Sequence, residues 1–160
     1  MSSHVTGSTV PLRPAVFLDR DGTINEQMGY INHISRFQLL PGVGAAIARL
    51  NRQGMPVVVV TNQSGLARGY FPAALLEAVH EKMFRGLAEA GAQIDALYLC
   101  PHHPEAKEAR YRQACDCRKP KTGMLEQAAR ELGLDLARSY VIGDRWSDLR
   151  CGAAVGASSI

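Results

Sequence analysis

The stretch AVFLDRDGT, residues 15–23, decides the fold. Residues 15–18 form a continuous apolar run without polar alternation, which is how a strand covered on both faces reads. The run passes directly into Asp19-Arg20-Asp21-Gly22-Thr23, so two carboxylates two residues apart stand where the strand stops. Gly22 frees the backbone to turn there. Three more runs share this character, at residues 56–60, 96–100 and 140–142. Between them lie helical patterns. Residues 42–51 carry Val43, Ile47 and Leu50 at helical spacing, with Gly54 as a stop. Residues 72–90 place Leu75, Leu76, Val79, Met83 and Leu87 on one face before Gly91, and residues 124–132 repeat the pattern before Gly133. Alternating strands and helices predict an α/β fold with a Rossmann-like, doubly wound parallel sheet. Ligands of such sheets gather outside the carboxyl ends of the strands, so the functional residues should follow each strand immediately.

A chain of 160 residues is one domain's worth, and residues 14–160 are expected to form it. Residues 1–13 are Ser/Thr/Gly-rich without an apolar period and read as a flexible leader. Charged residues at 21% and hydrophobic residues at 46% exclude a disordered or charge-saturated chain. The net charge of +3 is too small to argue for nucleic acid as a partner, although a local anionic ligand fits. The apolar runs fall well short of the roughly 20 residues that cross a bilayer, so no membrane span is expected. Four cysteines without an export signal point to a reduced, cytoplasmic protein.

The acids after the first strand suit phosphate chemistry. One carboxylate can attack phosphorus to give an aspartyl-phosphate, and a second can protonate the departing oxygen and then activate water. Paired acids also offer hard oxygen ligands to Mg²⁺. A plain Asp-capped turn is the competing reading. The second strand ends in Thr61-Asn62-Gln63-Ser64-Gly65, whose hydroxyls, amides and backbone N–H groups can donate to phosphate oxygens, or which serves only as a connecting loop. The fourth ends in Gly143-Asp144-Arg145-Trp146-Ser147-Asp148, where Asp148 reads as a helix cap and Asp144 precedes any helix. Lys119 could supply charge to a transferring phosphoryl group, or be a solvated surface lysine.

Cys100-Pro-His102 and Cys115-Asp-Cys117 form two tight pairs flanking a polar loop, a Cys₃His set suited to tetrahedral Zn²⁺. His103 is an alternative to His102, and free thiols or a redox pair are alternatives to zinc. Four protein ligands leave no open position, so the ion would be structural and would pin a zinc loop over residues 100–117. Cys151 stands apart and reads as a small core residue.

The ordered set Asp19-x-Asp21-Gly22-Thr23, Thr61-Asn62, Lys119 and Gly143-Asp144 with Asp148 resembles the four motifs of the haloacid dehalogenase (HAD) superfamily phosphatases. The zinc loop, the Cys-Asp-Cys-Arg-Lys-Pro run and residues 25–30 are similar to a subfamily acting on phosphorylated heptose; a sister subfamily acting on histidinol phosphate shares the catalytic motifs and zinc ligands. The resemblance implies a capless, Mg²⁺-dependent phosphatase of a heptose bisphosphate in nucleotide-activated heptose synthesis for lipopolysaccharide. Asp19 would be nucleophile, Asp21 acid and base, and Thr61 and Lys119 the donors to the phosphoryl group. Mg²⁺ would sit on Asp19, the Asp21 carbonyl and Asp144. Gln27, Met28, Gly29, Tyr30, Asn62, Gln63, Ser64, Arg118 and Arg145 would hold the sugar or its phosphates. At Arg145 the family often has lysine. Its core normally runs on past Ile160 into a further strand, so a truncated core is expected. The implied partner is a small sugar phosphate and the implied state a monomer; another small-molecule phosphatase, or a non-catalytic zinc-stabilised phosphate-binding module, are the competing functions.

Overall fold

The computed structural model describes residues 10–160. Five parallel strands, β1 (Val16–Leu18), β2 (Val57–Asn62), β3 (Ala96–Cys100), β4 (Tyr140–Ile142) and β5 (Ser158–Ser159), lie in the order β3-β2-β1-β4-β5. Five α-helices connect them: α1 (Val43–Arg52), α2 (Ser64–Ala67), α3 (Ala73–Glu89), α4 (Gly123–Leu132) and α5 (Trp146–Ala154). The chain winds outward from β1 to β3 and then crosses back to place β4 on the free side of β1. The order therefore reverses between β1 and β4, and a crevice opens there at the carboxyl ends.

Successive side chains of a strand point to opposite faces, and both faces of this sheet are covered. Val16, Leu18, Val57 and Val59 join Ile47, Val79, Met83 and Leu87 of α1 and α3 in one core. Phe17, Val58, Val60 and Val141 join Met124, Leu125 and Ala128 of α4 and Cys151 of α5 in the other. That two-sided burial is why the strands read as unbroken apolar runs. Cys151 takes the core position expected of it. Among the described residues, no helix is long and apolar enough to cross a membrane.

Register brings the site residues to one edge. Leu18 pairs with Val59 on one side and Ile142 on the other, and Asp19 N–H donates to the Ile142 carbonyl at 2.9 Å. The residues after Leu18, Val60 and Ile142 thus emerge side by side. Between β1 and α1 the chain makes turns and one short 3₁₀ turn, Ile34–Arg36, without a second domain.

The structure adds two elements to the reading from sequence. The two-residue strand β5 carries serines and no apolar run, so only its pairing with β4 reveals it. The TNQSG segment runs into the single turn of α2, Ser64–Ala67. Of the expected leader, residues 1–9 lie outside the described residues. Arg13 exchanges backbone hydrogen bonds with Gly133 and Asp135, at 3.1 and 2.8 Å, which ties it to the fold.

Candidate active site

Asp19 is 7% exposed at the tip of β1. Burial pushes its carboxyl above the ordinary value, the nearby Asp148 carboxylate adds to this, and Lys119 opposes both. Gly22 follows with φ at +88°, and a Cβ there would collide with the Asp144 carboxylate. The glycine therefore serves twice, turning the chain and letting the β4 loop close on the β1 loop.

Lys119 is 5% exposed, the reverse of a solvated surface lysine. Its Nζ donates to Asp19 Oδ1 at 2.9 Å and to the Val60 carbonyl at 2.7 Å. Asp148 Oδ1 lies 2.5 Å from the same Nζ, an ion-pair contact rather than a directed hydrogen bond. The other Asp148 oxygen accepts from the Arg145 N–H at 3.1 Å, so this residue caps α5 and also pairs with the buried cation. Asn62 fixes the lysine's backbone in a reciprocal pair: Lys119 N–H donates to its Oδ1 at 3.1 Å and its Nδ2 donates to the Lys119 carbonyl at 3.2 Å.

Carboxylate oxygens of Asp19, Asp144 and Asp148 come within 4.8 Å of one another. Three convergent hard oxygens at a crevice fit a divalent cation such as Mg²⁺. Asp148, which the sequence offers both as a helix cap and as part of the fourth motif, belongs to this group. The Asp21 carboxylate stands outside it and accepts from Arg20, Asn25 and Gln63. This agrees with the expectation that Asp21 faces the ion through its main-chain carbonyl alone.

A cleft of about 500 Å³ opens over these groups, lined among others by Asp19, Asp21, Lys119 and Asp148. Of the expected substrate contacts, Gln27, Gly29, Tyr30, Asn62, Gln63, Ser64, Arg118 and Arg145 border it. Met28 and Thr61 are not among its lining residues. The Met28 carbonyl accepts from Arg36 at 2.7 Å, and Thr61, 1% exposed, accepts from Gln63 Nε2 through its Oγ1 at 2.9 Å. Arg20 and Trp146 line the cleft without having been picked out from sequence. Trp146 is the chain's single tryptophan and is 65% exposed. Across the cleft, Tyr30 packs on Tyr70 with ring centroids 4.5 Å apart and accepts from Arg68 through its hydroxyl.

The sulfurs of Cys100, Cys115 and Cys117 and a ring nitrogen of His102 also converge within 4.8 Å, and no disulfide joins them. The Cys100 and Cys115 sulfurs are 3.7 Å apart, against about 3.8 Å for two thiolates on one tetrahedral zinc. Cys117 sits 2.7 Å from Cys100 and 3.2 Å from His102 Nδ1. Burial first, then the Cys117 contact, pushes the Cys100 thiol strongly up, a crowding that a dication would relieve. His103 is engaged elsewhere, its Nδ1 accepting from the Glu105 N–H at 3.1 Å. It is His102, not His103, whose ring nitrogen lies among the three sulfurs. Arg118 donates to the His102 carbonyl at 3.3 Å, which links the cluster to the cleft.

Known proteins resemble this chain in sequence and in fold. A family model described as HAD-hydrolase-like matches residues 116–160. A D-glycero-beta-D-manno-heptose-1,7-bisphosphate 7-phosphatase of Photorhabdus laumondii is 49% identical over 137 residues, covering 86% of this chain and 73% of its own. The Escherichia coli K12 protein of the same name is 47% identical over 141 residues, covering 88% and 74%. Among solved structures, a heptose bisphosphate phosphatase from B. bronchiseptica, complexed with magnesium and phosphate, superposes with a TM-score of 0.82 at 41% identity, over 91% of this chain and 78% of that one. A HAD-like phosphatase from Mesorhizobium loti gives 0.87 at 42%, over 92% and 71%.

Proposed function

Since the chain belongs to the D-glycero-beta-D-manno-heptose-1,7-bisphosphate 7-phosphatase family of HAD hydrolases, we propose that it removes the C7 phosphate of that sugar through an aspartyl-phosphate on Asp19. The observation that carries this reading is Asp19 at the floor of the cleft, in contact with Lys119 and two residues from the acid Asp21.

In the first step an Asp19 oxygen bonds to phosphorus while the bond to the sugar oxygen breaks, and Asp21 delivers a proton to that oxygen. In the second, water attacks the phosphorus, gives its proton to Asp21, and the electron pair of the breaking bond returns to the Asp19 carboxylate. Lys119 and Thr61 stabilise charge on the phosphoryl oxygens. Asp19, Asp144 and the Asp21 carbonyl would hold Mg²⁺, whose charge would offset the repulsion between carboxylate and phosphate. Gln27, Gly29, Tyr30, Asn62, Gln63, Ser64, Arg118 and Arg145 hold the sugar and its second phosphate, with arginine suited to bidentate contact. Met28 serves through its backbone, which positions this loop. The same reading makes the enzyme a monomer acting in the cytoplasm, in the synthesis of nucleotide-activated heptose.

Phosphate release from both anomers of heptose 1,7-bisphosphate, histidinol phosphate and fructose 1,6-bisphosphate tests the substrate. The β-heptose is expected to give the highest kcat/KM by at least about tenfold, a difference of only about 1.4 kcal/mol. A histidinol phosphate preference would overturn the assignment.

Zn²⁺ on Cys100, His102, Cys115 and Cys117 is the structural part of the proposal. Clipping Cys100 to Cys117 removes loop-closure entropy worth roughly 3 kcal/mol by the chain-entropy estimate. At about 2–4 °C per kcal/mol, stripping zinc should lower Tm by about 6–12 °C. It should also raise KM, because Arg118 hangs from this loop. Unchanged melting in a sample shown by metal analysis to be zinc-free would contradict the role.

A further inference from the structure

Arg20 is 2% exposed, and a buried guanidinium needs acceptors for its N–H groups. Nε and Nη2 reach the Asp21 carboxylate, Nη2 within 2.9 Å of both oxygens. The remaining edge, Nη1, meets Nε2 of His80 on α3 at 3.0 Å. Arginine cannot accept a hydrogen bond, so this contact requires an unprotonated Nε2 with the imidazole proton on Nδ1. Burial, and after it the Arg20 charge, hold His80 down at about 4 against an opposing pull from Asp21, so the ring is neutral at working pH.

We propose that His80 is a positioning residue for catalysis: by holding the outer edge of Arg20 it fixes the fork that orients Asp21, the acid and base of the reaction. The inference rests on the mechanism proposed above. Asn25 and Gln63 each donate to Asp21 at 2.9 Å, and Gln63 Nε2 also donates to Thr61. Neither carries charge. Arg20 alone is charged and grips both oxygens, so it sets the direction in which the carboxylate faces the water whose proton it takes in the second step. Weakening its hold should slow hydrolysis of the aspartyl-phosphate more than its formation from an ester with a good leaving group. In that slowed step the water O–H proton moves to Asp21, the oxygen bonds to phosphorus, and the Asp19 O–P bond breaks to release phosphate.

The test compares His80→Leu, which deletes the acceptor, with His80→Gln, which offers an amide oxygen in its place. The Mg²⁺-loaded proteins are assayed on heptose 1,7-bisphosphate and on p-nitrophenyl phosphate with rapid mixing. For His80→Leu, kcat should fall about tenfold with KM within about twofold, the scale of losing an outer-shell partner. One equivalent of p-nitrophenolate should precede the slow steady state. His80→Gln should recover most of the rate. A wild-type kcat in His80→Leu would overturn the proposal, as would equal loss of activity and Tm in both variants. The same variant pattern on p-nitrophenyl phosphate, in an enzyme inert on the heptose, would sink the substrate assignment and still support the role of His80.

Discussion

Asp19→Asn should abolish turnover, lowering kcat by about a thousandfold or more, while leaving a folded protein that still binds the ester. Loss of a covalent nucleophile removes a reaction path, and comparable deletions cost several orders of magnitude. An amide of the same shape has no anionic oxygen to offer phosphorus. The fold should survive because two effects oppose one another. Asparagine loses the 2.9 Å ion pair with Lys119, yet it also escapes the burial and the Asp148 repulsion that hold the Asp19 carboxyl up. Binding can be read without turnover. Trp146 lines the cleft and is the single tryptophan, so its fluorescence should change on titration with heptose 1,7-bisphosphate. Ligand binding by Asp19→Asn with no phosphate release separates an enzyme from a binding module. Residual turnover within tenfold of wild type would remove Asp19 as nucleophile.

What could be read from sequence follows from how local each signal is. The β1 run was legible because a strand buried on both faces has no polar alternation, and the acids after it fall at the strand ends where such sheets bind ligands. The convergence of Cys100, His102, Cys115 and Cys117 was legible because two tight pairs of soft ligands rarely arise otherwise. Arg20 was not: between two aspartates it reads as a solvated loop residue, and only the packing of α3 against β1 shows it buried on His80. Histidine on a helix carries no signal of its own. Asp148 was recognised as a cap, but its pairing with Lys119 spans 29 residues and depends on the β4 crossover. Met28 shows the opposite error, since its neighbours reach the cleft while its own contact is through the backbone to Arg36.

Lys119→Met is expected to cost stability as well as rate. Methionine keeps the length and apolar stem but leaves Asp19 and Asp148 buried together without a cation, their side chains 10% and 2% exposed. Breaking a buried pair by removing one partner typically costs about 3–5 kcal/mol, because the remaining charge is uncompensated. At about 2–4 °C per kcal/mol, Tm should fall by roughly 6–20 °C. The pH dependence has a definite sign. Asp19 is already held above its ordinary value in the fold, and Lys119 is the chief influence lowering it. Without the lysine the folded protein gains further affinity for a proton relative to the unfolded chain. The stability contribution of the protonated acid is present below the unfolded value near 3.8 and is lost as pH rises through the raised folded value. The deficit of Lys119→Met against wild type should therefore be largest at pH 8 and narrow on acidification to pH 5. Rate should fall with it, by about 10²–10³, the cost of losing one donor to developing charge. Lys119→Arg separates the two effects: it restores charge, and hence much of the stability, but its planar fork cannot reproduce a point contact with Asp19, Asp148 and the Val60 carbonyl at once. Melting curves of Lys119→Met that overlay wild type at pH 8 would show that the two acids are not held charged against one another.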